Sequence, residues 1–144
     1  MNDSTVPKPT GAPRVLVSNR QSMPVDEAAL AELAGRTLTG EGADGWELSV
    51  SFVGTDEMAD LHQRFMGEPG PTDVLAFPLR EDGLLGDVVI CPAHAGNNNP
   101  DVSSELRLLV VHGVLHLLGH DHLDDAGRAE MWARQERYSG VRVP

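Results

Sequence analysis

The order of hydrophobic and polar positions along the chain predicts short strands interleaved with helices. Apolar residues that alternate with polar ones are typical of a half-buried strand, and apolar residues three or four apart are typical of a helix buried on one side. This order predicts an α+β fold in which a small mixed sheet packs against helices. Strands are predicted at Arg14–Asn19, Trp46–Val53, Val74–Leu79 and Asp87–Cys91, and helices at Ala28–Thr39, between Thr55 and Gly67, at Glu105–Leu118 and from Asp124-Asp125 onward.

The same pattern predicts where helices begin and which faces they bury. Pro24 and Asp26 mark the start of the first helix. Thr55 is a good N-cap for the second helix, and Ser103 or Ser104 is a suitable N-cap for the third helix. The residues expected on buried faces are Leu30, Leu33, Ala34 and Leu38 in the first helix, Met58, Leu61 and Phe65 in the second, Leu106, Leu109, Val110 and Leu117 in the third, Met131 and Trp132 in the last, and Trp46, Leu48, Val50 and Phe52 in the second strand.

Turn-forming residues separate these elements. The segment Glu81-Asp82-Gly83 joins the third and fourth strands and predicts a hairpin between them. The stretch Pro92–Ser103 contains a glycine, three consecutive asparagines and Pro100. This composition is typical of a loop.

Composition limits the class of protein. With 144 residues and 40% hydrophobic content, the chain suits one compact domain over residues 14–144 after a flexible polar tail over residues 1–13. The tail lacks the basic start and apolar stretch of a signal peptide, and no long apolar run follows, so we expect a cytoplasmic protein without a membrane partner. Cys91 is the single cysteine. It excludes an intramolecular disulfide and is most simply a buried strand residue in a reducing compartment.

Four of the six histidines lie between His112 and His122. Residues four apart on a helix project from one face, so His112 and His116 lie roughly 6 Å apart along the axis and are able to bind one cation. Gly119 suits the end of that helix, and a turn there allows His122 to supply a third nitrogen. Three neutral imidazoles favour zinc, and a zinc ion with three protein ligands and an open position typically activates a water molecule.

Two neighbours of these ligands leave alternatives open. His120 is an alternative third ligand, although it directly follows the turn glycine. Asp121 is a candidate catalytic residue that orients a ligand histidine or the water, but an aspartate at a helix-ending turn more often bonds the local backbone. The predicted ligands of one zinc ion are therefore His112, His116 and His122.

The histidine spacing is shared with the long zinc-protease motif H-E-x-x-H-x-x-G-x-x-H. In that motif the glutamate after the first histidine is the general base. Gly113 occupies this place here and has no side chain to accept a proton. A metzincin-like metalloprotease is therefore a disfavoured alternative.

The segment from His112 to His122 resembles instead the signature H-G-x-L-H-L-x-G-[YF]-D-H of the YbeY family of bacterial endoribonucleases. It departs from that signature only at His120, where the family usually has an aromatic residue. Two further segments, PTDVLAFP at Pro71–Pro78 and LGDVVICP at Leu85–Pro92, are similar to the P-T-D-V-L-S-F-P and L-G-D-I-V-I-C-P segments of the family. The resemblance covers about residues 14 to 138.

The resemblance implies a metal-dependent endoribonuclease that is specific for single-stranded RNA. It implies a role in 3′-end maturation of small-subunit ribosomal RNA and in ribosome quality control, with ribosomal and ribosome-assembly proteins as candidate partners and no DNA substrate. The formal net charge of −11 should repel a phosphate backbone at long range. Local arginines and the metal ion would then have to attract the RNA.

Candidates for a substrate groove are Arg64, Thr72 and Asp73. The family often carries an arginine implicated in RNA cleavage six residues before the threonine of its P-T-D segment, and Met66 occupies that place here. Arg64 lies two positions earlier, about 200° around a helix, so it is not an obvious substitute. Thr72 and Asp73 match the family, but Pro-Thr-Asp is also ordinary turn chemistry. Met66 and the acidic charge keep a third hypothesis open, a ribosome-associated binding protein with a structural zinc.

Overall fold

The computed structural model describes residues 12–120 and 125–141 of the chain. Within these residues, no helix is both long and apolar enough to span a membrane. The elements of the described residues, in chain order, are β1 Arg14–Arg20, α1 Glu27–Gly40, β2 Glu47–Val53, α2 Thr55–Met66, β3 Val74–Glu81, β4 Leu84–Ile90, α3 Pro92–Ala95, α4 Val102–Leu117 and α5 Asp125–Ser139.

The strands form one mixed sheet in the order β1-β2-β4-β3. β1, β2 and β4 are parallel neighbours, and β3 runs antiparallel to β4. The turn between β3 and β4 contains Asp82 and Gly83, whose φ angles of 51° and 78° suit a tight two-residue hairpin. The predicted α+β fold, mixed sheet and hairpin are therefore confirmed, and β3 lies at an edge of the sheet.

Helices pack on both faces of the sheet. Successive strand residues point to opposite faces, so Val88 and Ile90 join the main core with α1 and α4, whereas Val89 joins a smaller core with Met58 of α2. α5 packs against α4 and α1 and adds Met131 to the main core. α4 is therefore in contact with the sheet, α1 and α5.

Most of the predicted buried faces are confirmed. The stripe of α1 is buried as expected, and Asp26 caps that helix by accepting a hydrogen bond from the amide of Ala29 at 3.2 Å. Cys91 is buried directly after β4. The other predicted core residues that are buried are Leu48, Val50, Phe52, Met58, Leu106, Leu109, Val110, Leu117 and Met131.

Two residues expected to face inward are exposed. Phe65 is 56% exposed and Trp132 is 49% exposed. Phe65 lies near the end of α2 and contacts the ring of Phe77 edge-on, with the centroids 5.3 Å apart. Trp132 directly follows the buried Met131, and consecutive helical residues point about 100° apart, so both cannot face the same core.

Three local features differ from those predicted from the sequence: the starts of two helices and a short helix within a predicted loop. Thr55 is the first residue of α2, and Gly54 is its N-cap. α4 starts earlier than predicted, so its cap is Asp101, which accepts hydrogen bonds from the amide and the hydroxyl of Ser104 at 3.2 and 2.7 Å. The stretch predicted as a loop begins with the short helix α3, which has Pro92 in its first turn, where the missing N–H of proline costs nothing.

Gly113 lies in the contact between α4 and β4. A Cβ atom at this position would lie 2.5 and 2.9 Å from the two γ-carbons of Val88. Val88 is fully buried, and a β-branched side chain has little freedom to move aside. The place where zinc proteases carry their glutamate therefore has no room for a side chain in this fold.

Replacing Gly113 with alanine tests this contact. We expect G113A to lower the free energy of unfolding by about 1–3 kcal/mol, because the added methyl group overpacks a filled core. Urea denaturation followed by circular dichroism measures the change. Gly35 on α1 is the matched control, since nothing lies within 4 Å of a Cβ built there and G35A should stabilise the helix by about 0.5–1 kcal/mol. A G113A protein as stable as the wild type would contradict the contact.

Candidate metal centre

His112 and His116 lie one turn apart near the C-terminal end of α4. Their ring centroids are 6.0 Å apart, and the ring planes are inclined by 35°. His112 is half-buried and His116 is exposed. The two imidazoles line a cavity of about 140 Å³ between α4, the end of α2 and β3, together with Met66, Val74, Leu75 and Ala76.

The two rings fit a zinc ion. Imidazoles that bind one tetrahedral zinc ion through Zn–N bonds of about 2.0–2.1 Å have ring centres roughly 5 Å apart. The separation between His112 and His116 is 6.0 Å, and small side-chain rotations remove the difference. Imidazole nitrogen is also a preferred ligand of zinc. The pair therefore provides two of the ligands that a zinc ion needs.

Gln135 on α5 orients the ring of His112. Its side-chain oxygen accepts a hydrogen bond from Nδ1 of His112 at 2.5 Å, and Gln135 is only 4% exposed. Because an amide oxygen only accepts, Nδ1 carries the proton and Nε2 carries the lone pair that a metal ion needs. Gln135 was not among the residues predicted from the sequence. The feature of the sequence that could have indicated Gln135 is its spacing: it is a polar residue four positions after Met131, and both lie on the buried face of α5.

Arg80 of β3 fixes the end of α4 just after His116. Its Nε and Nη2 atoms donate hydrogen bonds to the carbonyl oxygen of Leu117 at 3.1 and 2.8 Å. Gly119 then has a φ of 98°, a conformation that glycine adopts without strain, so the predicted role of Gly119 at the helix end is confirmed. Arg80 was not predicted, because it is distant in sequence from the helix that it caps.

The predicted third ligand lies outside the described residues. His122 and the candidate catalytic residue Asp121 both fall in the stretch 121–124, which the structure does not describe. Among residues 12–120 and 125–141, no group of three or more His, Cys, Asp or Glu side chains is arranged to hold a metal ion. The described residues therefore supply the pair His112 and His116, and the roles of His122 and Asp121 stay predictions.

His120, the alternative third ligand, contacts a buried carboxylate. Its Nε2 atom lies 2.8 Å from Oε1 of Glu41, whose side chain is 6% exposed. The same carboxylate accepts hydrogen bonds from Nη1 of Arg134 at 2.7 and 2.9 Å and from the hydroxyl of Tyr138 at 2.6 Å. A metal-binding histidine often donates its other ring nitrogen to a carboxylate, so this contact does not decide between His120 and His122, and the third ligand stays a prediction.

The hydrogen bonds at Glu41 outweigh its burial. Burial alone would raise the pKa of the carboxyl group, but hydrogen bonds from Tyr138, His120 and Arg134 hold the pKa of Glu41 below its ordinary value. The hydroxyl of Tyr138 responds in the opposite direction, because its burial and its hydrogen bond to Glu41 raise its pKa. Glu41 is therefore ionised and Tyr138 is neutral around neutral pH.

Met66 and the predicted groove residue Arg64 differ in their relation to the cavity. Met66, which stands where the family often has arginine, lines the cavity beside both histidines. The side chain of Arg64 is 63% exposed and forms an ion pair with Asp60 at 3.0 Å. The residues that line the cavity do not include Arg64, so its contact with substrate stays a prediction.

Thr72 and Asp73 precede β3 beside the cavity. The hydroxyl of Thr72 donates to Oδ1 of Asp73 at 3.4 Å, and Oδ2 of Asp73 accepts from the amide of Asn98 at 2.9 Å. The carbonyl oxygen of Asp73 also accepts from the amide of Cys91 at 2.9 Å. These contacts hold the segment that enters β3, and a role of Thr72 and Asp73 in substrate binding stays a prediction.

Comparison with known proteins identifies the family. The sequence model described as Endoribonuclease YbeY matches residues 16–140. The chain belongs to the YbeY family. The YbeY endoribonuclease of Acidothermus cellulolyticus is 42% identical, in a match that covers 84% of this chain and 86% of that protein. The YbeY endoribonuclease of Thermobifida fusca is 43% identical, in a match that covers 83% of this chain and 87% of that protein.

A solved structure agrees with this assignment. The solution structure of TM1509 from Thermotoga maritima matches with a TM-score of 0.64 and 32% sequence identity, over 87% of this chain and 86% of that one. The α+β fold described above is therefore shared with TM1509. The resemblance to the YbeY family, inferred from the histidine segment and the two strand segments, is confirmed.

Replacing Gln135 with leucine tests its contact with His112. We expect Q135L to weaken zinc binding by about 10-fold or more, since the outer hydrogen bond fixes the tautomer and orientation of a ligand. Competition with a zinc-binding dye measures the affinity, and nitrogen NMR of His112 reports the tautomer. Q135E, which still offers an accepting oxygen, should keep most of the affinity. Q63L on α2 is the control, and a Q135L protein with unchanged affinity would contradict the role.

The pH dependence of stability tests the ionised state of Glu41. A carboxyl group whose folded-state pKa is lowered stabilises the fold above its unfolded-state pKa, and this stabilisation is lost as the pH falls through the folded-state value. We therefore expect the wild type to lose more unfolding free energy than E41Q between about pH 5 and pH 3. Urea denaturation at stepped pH measures this, with E57Q as a control for removal of an acidic side chain. Equal losses in wild type and E41Q would contradict the lowered pKa.

Proposed function

We propose that the chain is a zinc-dependent endoribonuclease that cleaves single-stranded RNA, with His112, His116 and His122 as the metal ligands. The observation that carries the proposal is the pair of imidazoles at one cavity, with His112 oriented by the buried Gln135. Membership of the YbeY family supports hydrolysis of RNA as the class of reaction. When bound, zinc supplies an activated water as the nucleophile and a positive charge beside the phosphate.

The side chains around the cavity support phosphodiester rather than peptide hydrolysis. A zinc protease of the matching spacing needs a glutamate directly after the first histidine. Here Gly113 holds that place, and Val88 fills the space that a side chain would need. His116 is exposed, so a large substrate such as RNA can approach its ring from solvent. Asp121 is a candidate to orient the water or a ligand, as the sequence predicts.

Local arginine side chains would have to bind RNA against an acidic overall charge of −11. An exposed ion pair such as Arg64 with Asp60 is worth only about 0–1 kcal/mol. A phosphate group, which binds a guanidinium through two parallel hydrogen bonds, is able to replace the aspartate. Arg64, Thr72 and Asp73 are therefore the residues that we propose for the substrate groove.

We further propose small-subunit ribosomal RNA as the substrate, with cleavage in the maturation of its 3′ end and a role in ribosome quality control. The support is the family membership together with the three matching sequence segments. The negative net charge repels RNA at long range, and a partner protein that binds the RNA would bring it to the site. Ribosomal or ribosome-assembly proteins are therefore the proposed partners. The proposed location is the cytoplasm, in agreement with the single, buried cysteine.

A second candidate function is a ribosome-associated binding protein in which zinc is structural. The observation that favours it is Met66, an apolar residue that lines the cavity where the family often has an arginine. In this alternative the metal would maintain the fold and would not turn over RNA. The behaviour of the metal-free protein separates the two functions.

Replacing His116 with alanine tests the nuclease. We expect H116A to lose metal-dependent cleavage of single-stranded RNA by about 100-fold or more while the fold survives, because His116 is an exposed ligand of the metal that activates the nucleophile. A labelled RNA of ribosomal 3′-end sequence measures cleavage, and circular dichroism measures folding. H94A, which removes a histidine from α3, is the matched control.

Chelation provides the second half of this test. If the metal is catalytic, a chelator abolishes cleavage and leaves the fold intact, and added zinc restores activity. Unfolding on chelation together with no cleavage of any RNA would favour the structural zinc. Full cleavage by H116A would contradict the proposed site.

A further inference from the structure

A second cavity, of about 450 Å³, lies between α2 and the sheet. Phe77 and Val89 line it, and both belong to the face of the sheet that packs against α2. We propose that this cavity binds a guanine base of the single-stranded RNA that the metal site cleaves. The role of this site rests on the proposed function, since RNA is taken as the substrate.

The second cavity lies around the edge of the sheet from the cavity of the two histidines. Phe65 and Met66 are consecutive residues at the end of α2, and Phe65 lines the second cavity whereas Met66 lines the histidine cavity. On the edge strand β3, Phe77 and Ala76 are divided in the same way, because successive strand residues point to opposite faces. An RNA strand that reaches the metal is therefore able to place a neighbouring nucleotide in the second cavity.

The wall that α2 contributes to the second cavity carries an exposed aromatic ring. Phe65 is 56% exposed, and its ring meets that of Phe77 edge-on, with the centroids 5.3 Å apart and the planes inclined by 66°. Proteins that bind single-stranded RNA stack unpaired bases on exposed rings of this kind. The volume of the cavity also falls in the range of about 300–1,000 Å³ that is typical of small-molecule sites. A base therefore has both the room and the stacking surface that it needs.

Two polar side chains of the second cavity have unused hydrogen-bonding capacity. Asp87 is exposed, and its Oδ1 atom accepts a hydrogen bond from the hydroxyl of Ser49. Within residues 12–120 and 125–141, Oδ2 of Asp87 and the hydroxyl of Ser51 have no hydrogen-bond partner. A carboxylate only accepts hydrogen bonds, whereas a hydroxyl both donates and accepts. The cavity therefore offers a ligand two carboxylate oxygens and one hydroxyl.

The charges of the second cavity favour a base over a phosphate group. Glu57 also lines the cavity, but Arg20 donates two hydrogen bonds to its carboxylate, at 2.6 and 3.3 Å. The remaining nitrogen of Arg20 donates to the hydroxyl of Ser18 at 2.8 Å. Among the described residues that line the cavity, Asp87 alone carries a charge without an ion-pair partner. This negative charge repels a phosphate group and attracts the N–H donors of a neutral base.

The carboxylate of Asp87 favours guanine among the bases of RNA. Guanine has two adjacent N–H donors on its Watson–Crick edge, at N1 and at the N2 amino group, and a carboxylate accepts such a pair through both oxygens. Each carboxylate oxygen has two lone pairs, so the bond from Ser49 leaves both oxygens able to accept. Adenine and cytosine have an acceptor next to their amino group, and uracil has an acceptor on each side of its N–H. The hydroxyl of Ser51 is in addition able to donate to the carbonyl oxygen of guanine.

Titration of the zinc-loaded protein with guanosine tests the cavity directly, because this nucleoside has no phosphate group to bind the metal or to be cleaved. We expect the NMR signals of Phe65, Phe77 and Val89 to shift, since a stacked base changes the magnetic environment of nearby nuclei. Inosine is the matched ligand, because it lacks only the amino group at N2, and should bind about 10-fold more weakly. Shifts confined to other parts of the protein, or equal binding of guanosine, inosine and uridine, contradict the guanine site.

The variants F65A and D87N test stacking and hydrogen bonding separately. The ligand is a labelled RNA of seven nucleotides, one guanosine among uridines, and fluorescence anisotropy in the presence of a chelator measures its dissociation constant without cleavage. We expect F65A to raise this constant about 10-fold, because it removes the stacking ring. D87N should abolish the preference for this RNA over one of uridines alone, since asparagine keeps the size of the side chain but turns an NH2 group toward the donors of guanine.

W132A and D44N are the matched controls. Trp132 is an aromatic residue of α5 that is 49% exposed, and Asp44 is an exposed carboxylate in the turn before β2. Neither lines the cavity, so both variants should bind the RNA as the wild type does. Circular dichroism measures folding, and if F65A does not fold, D87N decides, because Asp87 is exposed. If the chelator unfolds the protein, guanosine titration of the zinc-loaded variants decides instead.

Wild-type affinity of both F65A and D87N for the RNA with guanosine overturns the inference, and this is also the result expected if the surface binds a protein. That result, together with loss of cleavage in H116A, leaves the proposed function intact and rejects the guanine site. Guanosine binding by a protein that cleaves no RNA rejects the proposed nuclease and keeps the guanine site.

Discussion

The contact of α4 with the sheet determines where the two histidines stand. α4 buries one residue after another against β4 and α1, and at Gly113 its backbone lies directly over Val88. A helix held this closely cannot roll about its axis without losing core contacts. His112 and His116 are therefore held at the flank of the helix, where the cavity beside β3 opens. The place of the proposed metal site therefore follows from packing that involves neither imidazole.

Contacts made by α5 orient the side chains at this place. Gln135 fixes the ring of His112, and the neighbouring Arg134 joins α5 to Glu41. Glu41 in turn reaches His120 at the end of α4. Hydrogen bonds to a buried, ionised group are stronger than those between neutral groups. One carboxylate at the end of α1 therefore connects three separate elements around the proposed ligands.

Features that depend on residues close in sequence were predictable. The buried stripe of α1, the hairpin of β3 and β4 and the helical spacing of His112 and His116 each depend on residues that are only a few positions apart. Their geometry therefore follows from helix and strand periodicity. The family was predictable for the same reason, since its three segments are each contiguous. Errors within this class concern boundaries. Several residues near the start of α4 were able to cap it, and Asp101 does so.

Features that join distant parts of the chain were not predictable. Gln135, Arg80 and Glu41 reach residues 23 to 97 positions away, and no local pattern carries that information. The buried face of α5 shows the same limit. Periodicity shows that Met131 or Trp132 faces inward, but the position of α5 against α4 selects Met131. Contacts that orient ligands therefore require the fold.

The burial of α4 has a consequence for the supply of metal. The apolar residues on either side of His116, Leu115 and Leu117, are fully buried in the protein core. If the proposed metal is catalytic and not structural, a chain that completes its core in this way would not need to unfold to release the ion or to accept it, unlike small domains that fold only around zinc. Occupancy of the proposed site would then follow the free metal concentration around the folded protein, and loading with metal would be an event separate from synthesis of the chain.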